Sequence, residues 1–174
     1  MACNSNVLSN IPANCDSSMG GILEVYITHR DQVADVTVTG DKITAITLIT
    51  ESPEKFHTFS LKRNTASVTS TYNINPENGV NFVTTDLNLV FTKQDTEKRV
   101  AITALALDDL AVIYKDANGL YWYMGKDEPV AATAAGADTG TNRTDGNKYT
   151  ITLQDNSLQL PLEVDAKAVV AVVE

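Results

Sequence analysis

The chain has 174 residues, 43% of them hydrophobic, the size and apolar content of a single domain with its own core. Its 22 acidic and 13 basic residues leave a formal net charge of -9, which excludes a protein that grips nucleic acid by neutralising phosphates with clustered Lys and Arg. No apolar run reaches the roughly 18 residues of a membrane-crossing helix, so no membrane span is expected.

The first 21 residues, MACNSNVLSNIPANCDSSMGG, read as a polar leader. They lack the basic and apolar regions of a signal peptide, so synthesis in the cytoplasm is expected. Cys3 and Cys15 lie in this leader without a C-x-x-C pair or a histidine at metal spacing, and are expected to be free thiols.

Residues 22–28 (ILEVYIT) are apolar and β-branched enough for a strand. Residues 35–39 and 42–50, joined by Gly40-Asp41, read as a hairpin with Ile43 and Ala45 on one face. Residues 56–61 form a short strand whose His57, Phe59 and Leu61 side is expected to face inward. The longest β signal is 64–91. In its first arm Ala66, Val68, Ser70, Tyr72 and Ile74 share a face, while Thr65, Ser67, Thr69, Thr71, Asn73 and Asn75 share the other. After the turn 76–79, Val83, Leu87, Leu89 and Phe91 line one face, with Thr84, Asp86 and Asn88 opposite. Thr85 interrupts the apolar set and points to a bulge.

A helix is expected over 92–107, opened by Thr92 with Asp95 three residues on. Residues 111–115 and 120–124 flank an Asn118-Gly119 turn, a strong hairpin signal. Residues 134–147 read as an extended loop, long enough to imply a function outside the fold. A strand at 148–153, a turn at Asp155-Asn156 and two apolar strands at 158–164 and 168–173 complete the chain. The sum is a mainly β sandwich or barrel with one flanking α-helix.

The chemistry-bearing residues are sparse. His29 and His57 adjoin no nucleophile or acid in sequence, and G-x-S-x-G, Walker and H-E-x-x-H patterns are all missing, so no enzyme activity, metal or cofactor is expected. The acidic segment 138–147 departs from calcium-loop spacing, and Arg143 would oppose a cation. Asn142-Arg143-Thr144 fits a glycosylation sequon, without the secretion that would use it. Asp108-Asp109 reads as a solvated helix end. Within Tyr121-Trp122-Tyr123, alternation places Trp122 in the core and the tyrosines on the opposite side.

Four segments taken in order carry a resemblance: SMGGILEVYI (18–27), TKQDTEKR (92–99), NGLYWYMG (118–125) and the block from Ala134 to Leu153 containing DGNKYTITL. Together they resemble the tail tube proteins of tailed bacteriophages, particularly prophage-like members. The sequence departs from the family at 126–129 and at Lys148, both loop features.

The resemblance implies a structural virion protein of the phage tail, with no catalytic residues. Its fold would be a β-sandwich or barrel with one flanking helix. Six copies would form a ring, rings would stack into a tube alongside other tail proteins, and DNA would pass through without specific binding. On that reading Thr65, Ser67, Thr69, Thr71, Thr84, Asp86 and Asn88 face the lumen, although a hairpin facing plain solvent would show the same pattern. The loop carrying Gly136, Asp138, Gly140, Asn142, Arg143, Asp145 and Gly146 is expected to contact neighbouring subunits, its glycines leaving it free to order on assembly. The alternatives are another virion component, such as a tail terminator or head decoration protein, and a carbohydrate- or ligand-binding β-domain.

Overall fold

A computed structural model describes residues 9–13, 15–51 and 53–173; Cys3 lies outside them. The chain is mainly β and forms two sheets. In chain order the elements are β1 (Ile22–His29), a 3₁₀ turn (Arg30–Gln32), β2 (Val33–Thr39), β3 (Lys42–Leu48), β4 (His57–Ser60), β5 (Ala66–Asn75) and β6 (Val80–Thr92). Then follow α1 (Thr96–Leu107), β7 (Leu110–Asp116), β8 (Tyr121–Met124), β9 (Ala131–Asp138), β10 (Lys148–Ser157), β11 (Leu162–Val164) and α2 (Ala166–Val172). Seven strands form one sheet in the order β2-β3-β11-β8-β7-β1-β4, and four form the other in the order β5-β6-β10-β9. Neighbours are antiparallel except β3 and β11. No helix among the described residues is long and apolar enough to cross a membrane.

The large sheet is covered on both faces, which explains why β1 and β7 read as continuous apolar runs. Val25 and Ile27 pair with Tyr114 and Val112 and point at the small sheet. Tyr26 pairs with Ile113 on the opposite face, where Ala168, Val169 and Val172 of α2 cover them. That helix corrects the expected strand at 168–173, so two α-helices flank the sheets instead of one. Its burial spacing is helical, and the Asp165 carboxylate caps it by accepting from the Lys167 N–H at 3.1 Å. Phe56 is drawn into the same layer, its N–H donating to Val172 O at 3.0 Å. Phe59 and Leu61 pack half-buried against the other core, whereas His57, expected on the same inward side, is exposed.

The small sheet lays Leu87, Leu89, Ile151 and Leu153 onto Val25, Ile27 and Val112 of the large one. Registry between β5 and β6 runs unbroken from Ala66↔Leu89 to Asn75↔Val80, so the expected bulge at Thr85 does not occur. Thr85 is fully buried, and a 2.9 Å hydrogen bond to Ser70 Oγ accounts for its polarity. Register shifts lie instead in the pairs β1–β7, β9–β10 and β2–β3, and the one opposite Thr37 and Val38 buries Ile43 and Ile46 and leaves Ala45 exposed. Helix α1 starts later than expected. Thr92 remains the last residue of β6, and Asp95 is the cap, its Oδ1 accepting from the Lys98 N–H at 2.8 Å.

Asp155 and Asn156 are not a turn. Both belong to β10 and pair with Thr85 and Thr84. Asp155 points into the core and is only 2% exposed, and its Oδ1 is buried without a hydrogen-bond partner. Burial pushes its carboxyl up to about 6, with the charges of Asp127 and Glu128 adding to the effect against the Gly125 amide and Ser157 hydroxyl. The ordinary value is 3.8, so between about pH 4 and pH 6 the folded chain holds a proton that the unfolded chain has released. Stability therefore falls as pH rises through this window and stays lowered above it. Asp155→Asn is expected to raise stability at pH 7.5 by on the order of 2 kcal/mol and to flatten the decline, as read from urea midpoints at pH 4.5 and 7.5.

Candidate assembly surface

Because the odd-numbered residues of β6 and β10 enter the core, their even-numbered residues form the outer face of the small sheet. Ser67, Thr69 and Thr71 of β5 sit on this face opposite Asn88, Asp86 and Thr84 of β6. A hydrogen-bond ladder ties the strands together. Asn73 Nδ2 donates to Thr84 Oγ1 at 2.9 Å, and Thr84 Oγ1 donates to Asn156 Oδ1 at 3.1 Å. Gln154 Nε2 donates to Asp86 Oδ1 at 2.8 Å, and Thr152 Oγ1 to Asn88 Oδ1 at 2.8 Å.

Six of the seven residues expected on this surface are thus brought together on it. Thr65 precedes β5, and its hydroxyl is tied back to Lys62 O at 2.6 Å. Asn73 shares this face as its alternation with Thr71 predicts, and Thr152, Gln154 and Asn156 join it from β10, the last two beyond the strand expected at 148–153. The face is mainly polar and carries few charges, Asp86 near its middle and Lys148 opposite Asp138 at one end.

The extended loop expected over 134–147 is only partly a loop. Ala131–Asp138 is the edge strand β9, paired with β10, so Gly136 and Asp138 are strand residues. What remains is a compact turn. Asp138 Oδ1 accepts from the Gly140 N–H at 2.9 Å, and Asp145 Oδ2 accepts from the N–H groups of Thr141 at 3.1 Å and Asn142 at 2.8 Å. Those donors hold the Asp145 carboxyl below the usual carboxylate range.

The link to α1 anchors the turn. Lys93 N–H donates to Asn147 O at 2.8 Å, and Gln94 Nε2 donates to Asp138 O at 3.1 Å and Lys148 O at 3.2 Å. The expected freedom to order on assembly is therefore corrected to a preformed turn. Asn142 and Arg143 are exposed at its tip, with Gly146 at positive φ behind them.

The two edges of the small sheet are lightly guarded. β5 (ASVTSTYNIN) has neither charge nor proline and pairs without a register shift, and β9 (AATAAGAD) has one charge, at its end, and one register shift, at Thr133. Natural edge strands are usually blunted by charge, proline, bulges or shortness. The large sheet follows that practice: β2 carries Asp35 and two register shifts, and β4 has four residues.

Elsewhere, folding gathers groups that are far apart in sequence. His57 Nε2 lies 2.7 Å from Glu54 Oε1, while His29 lies 4.0 Å from Glu54 Oε2 and 3.8 Å from Asp108 Oδ2. His29, Glu54 and His57 line a cavity of about 270 Å³ beside α1, together with Ile27, Phe59 and Leu105. No local sequence signal could have announced this cluster. Among the described residues no group of His, Cys, Asp and Glu is arranged to hold a metal, and Cys15 is an exposed free thiol.

In the aromatic strand the expectation is partly reversed. Tyr123 is the buried member, whereas Trp122 is half-buried against the inter-sheet core and donates from Nε1 to Asp116 Oδ2 at 3.0 Å.

Compared with family models, curated proteins and solved structures, the chain gives no match in any of the three.

The turn allows a direct test. Gly140 has φ +68°, and a Cβ there would lie 2.6 Å from Asp145 Cβ and 2.7 Å from Gly146 O, whereas Gly136 has open space around it. Gly140→Ala is expected to accelerate amide exchange at Thr141 and Asn142. Gly136→Ala is expected to leave it unchanged.

Proposed function

We propose that this chain is a tube-forming structural subunit of the phage tail type, whose small sheet joins those of neighbouring copies edge to edge to close a ring. The observation that carries the reading is the pair of long, proline-free and nearly uncharged edges on that one sheet. Strands β5, β6, β10 and β9 alternate in direction, so β5 and β9 run oppositely. A neighbour's β5 laid beside β9 continues the antiparallel pattern, with each edge supplying the partner the other needs.

With the six copies that the resemblance implies, 24 strands spaced about 4.8 Å and tilted about 40° close at a backbone radius of about 24 Å. The outer polar face of each sheet then lines the bore, which is wide enough for a nucleic-acid duplex. Hydroxyl and amide groups with a nearly balanced set of charges give phosphates little counterion-releasing contact. A duplex can move along such a wall without being held. The half-buried, hydrogen-bonded Trp122 offers no exposed stacking platform, so no observation favours the carbohydrate-binding alternative.

Two experiments test the reading. Successive strand residues turn their N–H groups to opposite sides, so one of Ala135→Pro and Gly136→Pro removes only an outward donor. That variant is expected to fold yet form no rings by negative-stain microscopy, while the unaltered chain forms six-fold rings or tubes; monomers of the unaltered chain at all concentrations would sink the proposal. In assembled tubes, Thr69→Lys combined with Asp86→Lys is expected to make duplex DNA bind with steep salt dependence. Unaltered tubes are expected to bind it weakly, as followed by fluorescence anisotropy.

A further inference from the structure

The β5–β6 hairpin extends beyond the core that covers the rest of its sheet. Tyr72 and Ile74 continue the inward face of Ala66 and Val68, yet they are 48% and 67% exposed. The tip is nonetheless well built: Asn75 Oδ1 accepts from the N–H groups of Glu77 at 3.1 Å and Asn78 at 3.4 Å, and Gly79 supplies the positive φ. Leu158 and Leu160 are also exposed and follow Ser157, which pairs with Val83, so they extend the apolar patch at the same end.

At the other end of β5, about 30 Å away at roughly 3.3 Å per residue, a cleft of about 610 Å³ opens between residues 19–23 and the 61–64 turn. Met19 and Leu23 are exposed there, and Ile22 and Leu61 are half-buried. Its wall is fixed by Met19 N–H donating to Asn118 Oδ1 at 2.9 Å and Ala117 N–H donating to Gly21 O at 3.0 Å.

The two ends differ in charge as well. Glu77 stands at the tip, with Asp127 and Glu128 lining a hollow beside Leu158 and Lys126 4.0 Å from Asp127. The cleft carries Lys62 and Arg63.

We propose that the hairpin tip of one copy seats in this cleft of the next copy along the tube axis. Tyr72 and Ile74 cover Met19, Leu23 and Leu61, and Glu77 faces Lys62 and Arg63. The inference rests on the ring reading for its geometry: strands tilted about 40° from the axis point their two ends at successive rings. A contact between two different surfaces at opposite ends of a subunit is heterologous and repeats without limit, so it gives stacking a direction.

The test uses the full chain with Cys3→Ser and Cys15→Ser, carrying either Glu77→Cys or Arg63→Cys. Mixed under mild oxidation, the two are expected to give a disulfide-linked dimer as the main species, while neither alone does. In parallel, Ile74→Asp is expected to give closed single rings that do not stack. Glu77→Lys is expected to lose stacking and to regain it with Lys62→Glu and Arg63→Glu.

Rings without the crosslink, long tubes from Ile74→Asp, or crosslinking of Glu77→Cys to itself would overturn the axial contact and leave the ring reading intact. The mixed crosslink without rings would support the contact and overturn the ring reading. The loss of both would overturn both.

Discussion

The contact between the two sheets is the constraint from which the other features follow. Once Leu87, Leu89, Ile151 and Leu153 are committed to Val25, Ile27 and Val112, the period-2 geometry of a strand fixes the side on which every other residue of the small sheet emerges. A slip of one residue would bury Asp86 and Asn88 and expose the leucines. The buried apolar area that prevents such a slip is what makes the outer polar face a defined surface. The ladder from Asn73 through Thr84 to Asn156 then orders side chains that would otherwise be free to rotate.

The same packing separates two ways of treating a sheet edge. The large sheet is closed off at β2 by bulges and a charge and at β4 by shortness. The small sheet ends on two long strands with far less of this: β5 has neither charge nor register shift, and β9 has one shift and one terminal charge. The contrast lies within one chain of fixed composition, so a general shortage of charge does not explain it. With net charge -9, acidic and basic residues are plentiful, and they are placed elsewhere. An alanine- and glycine-rich β9 has little intrinsic strand preference; its pairing with β10 keeps it extended.

That dependence on pairing also explains what the sequence could and could not reveal. The face carried by Ser67, Thr69, Thr71, Thr84, Asp86 and Asn88 was legible because one-sided burial writes an alternating pattern. The strand at 131–138 was not, because Ala and Gly carry no β signal and Gly136 imitates a loop. α2 was misread because Val169, Val170, Val172 and Val173 favour strands locally, while the tertiary contact with Ile43 and Phe56 selects a helix. Thr85 and Asp155 were misread for a shared reason: a buried polar residue inside a strand looks like an interruption, and only its partners or its shifted ionisation show where it points. The gathering of His29 and His57 around Glu54 is a product of topology and leaves no local trace.

In the proposed assembly, the strength of a single edge pairing has consequences of its own. Eight to ten paired residues form roughly that many backbone hydrogen bonds, each contributing about 1 kcal/mol net. Bringing two free subunits together costs on the order of 4 to 15 kcal/mol. A lone pairing is therefore marginal, and short open arcs of subunits should be scarce. The closing step differs: its two edges already belong to one body, so the last pairing forms without a second association cost. Long, weakly guarded edges that would be an aggregation hazard in an open sheet become satisfied donors and acceptors in a closed one. Closure, more than the strength of any one contact, is what makes such edges compatible with a well-behaved protein.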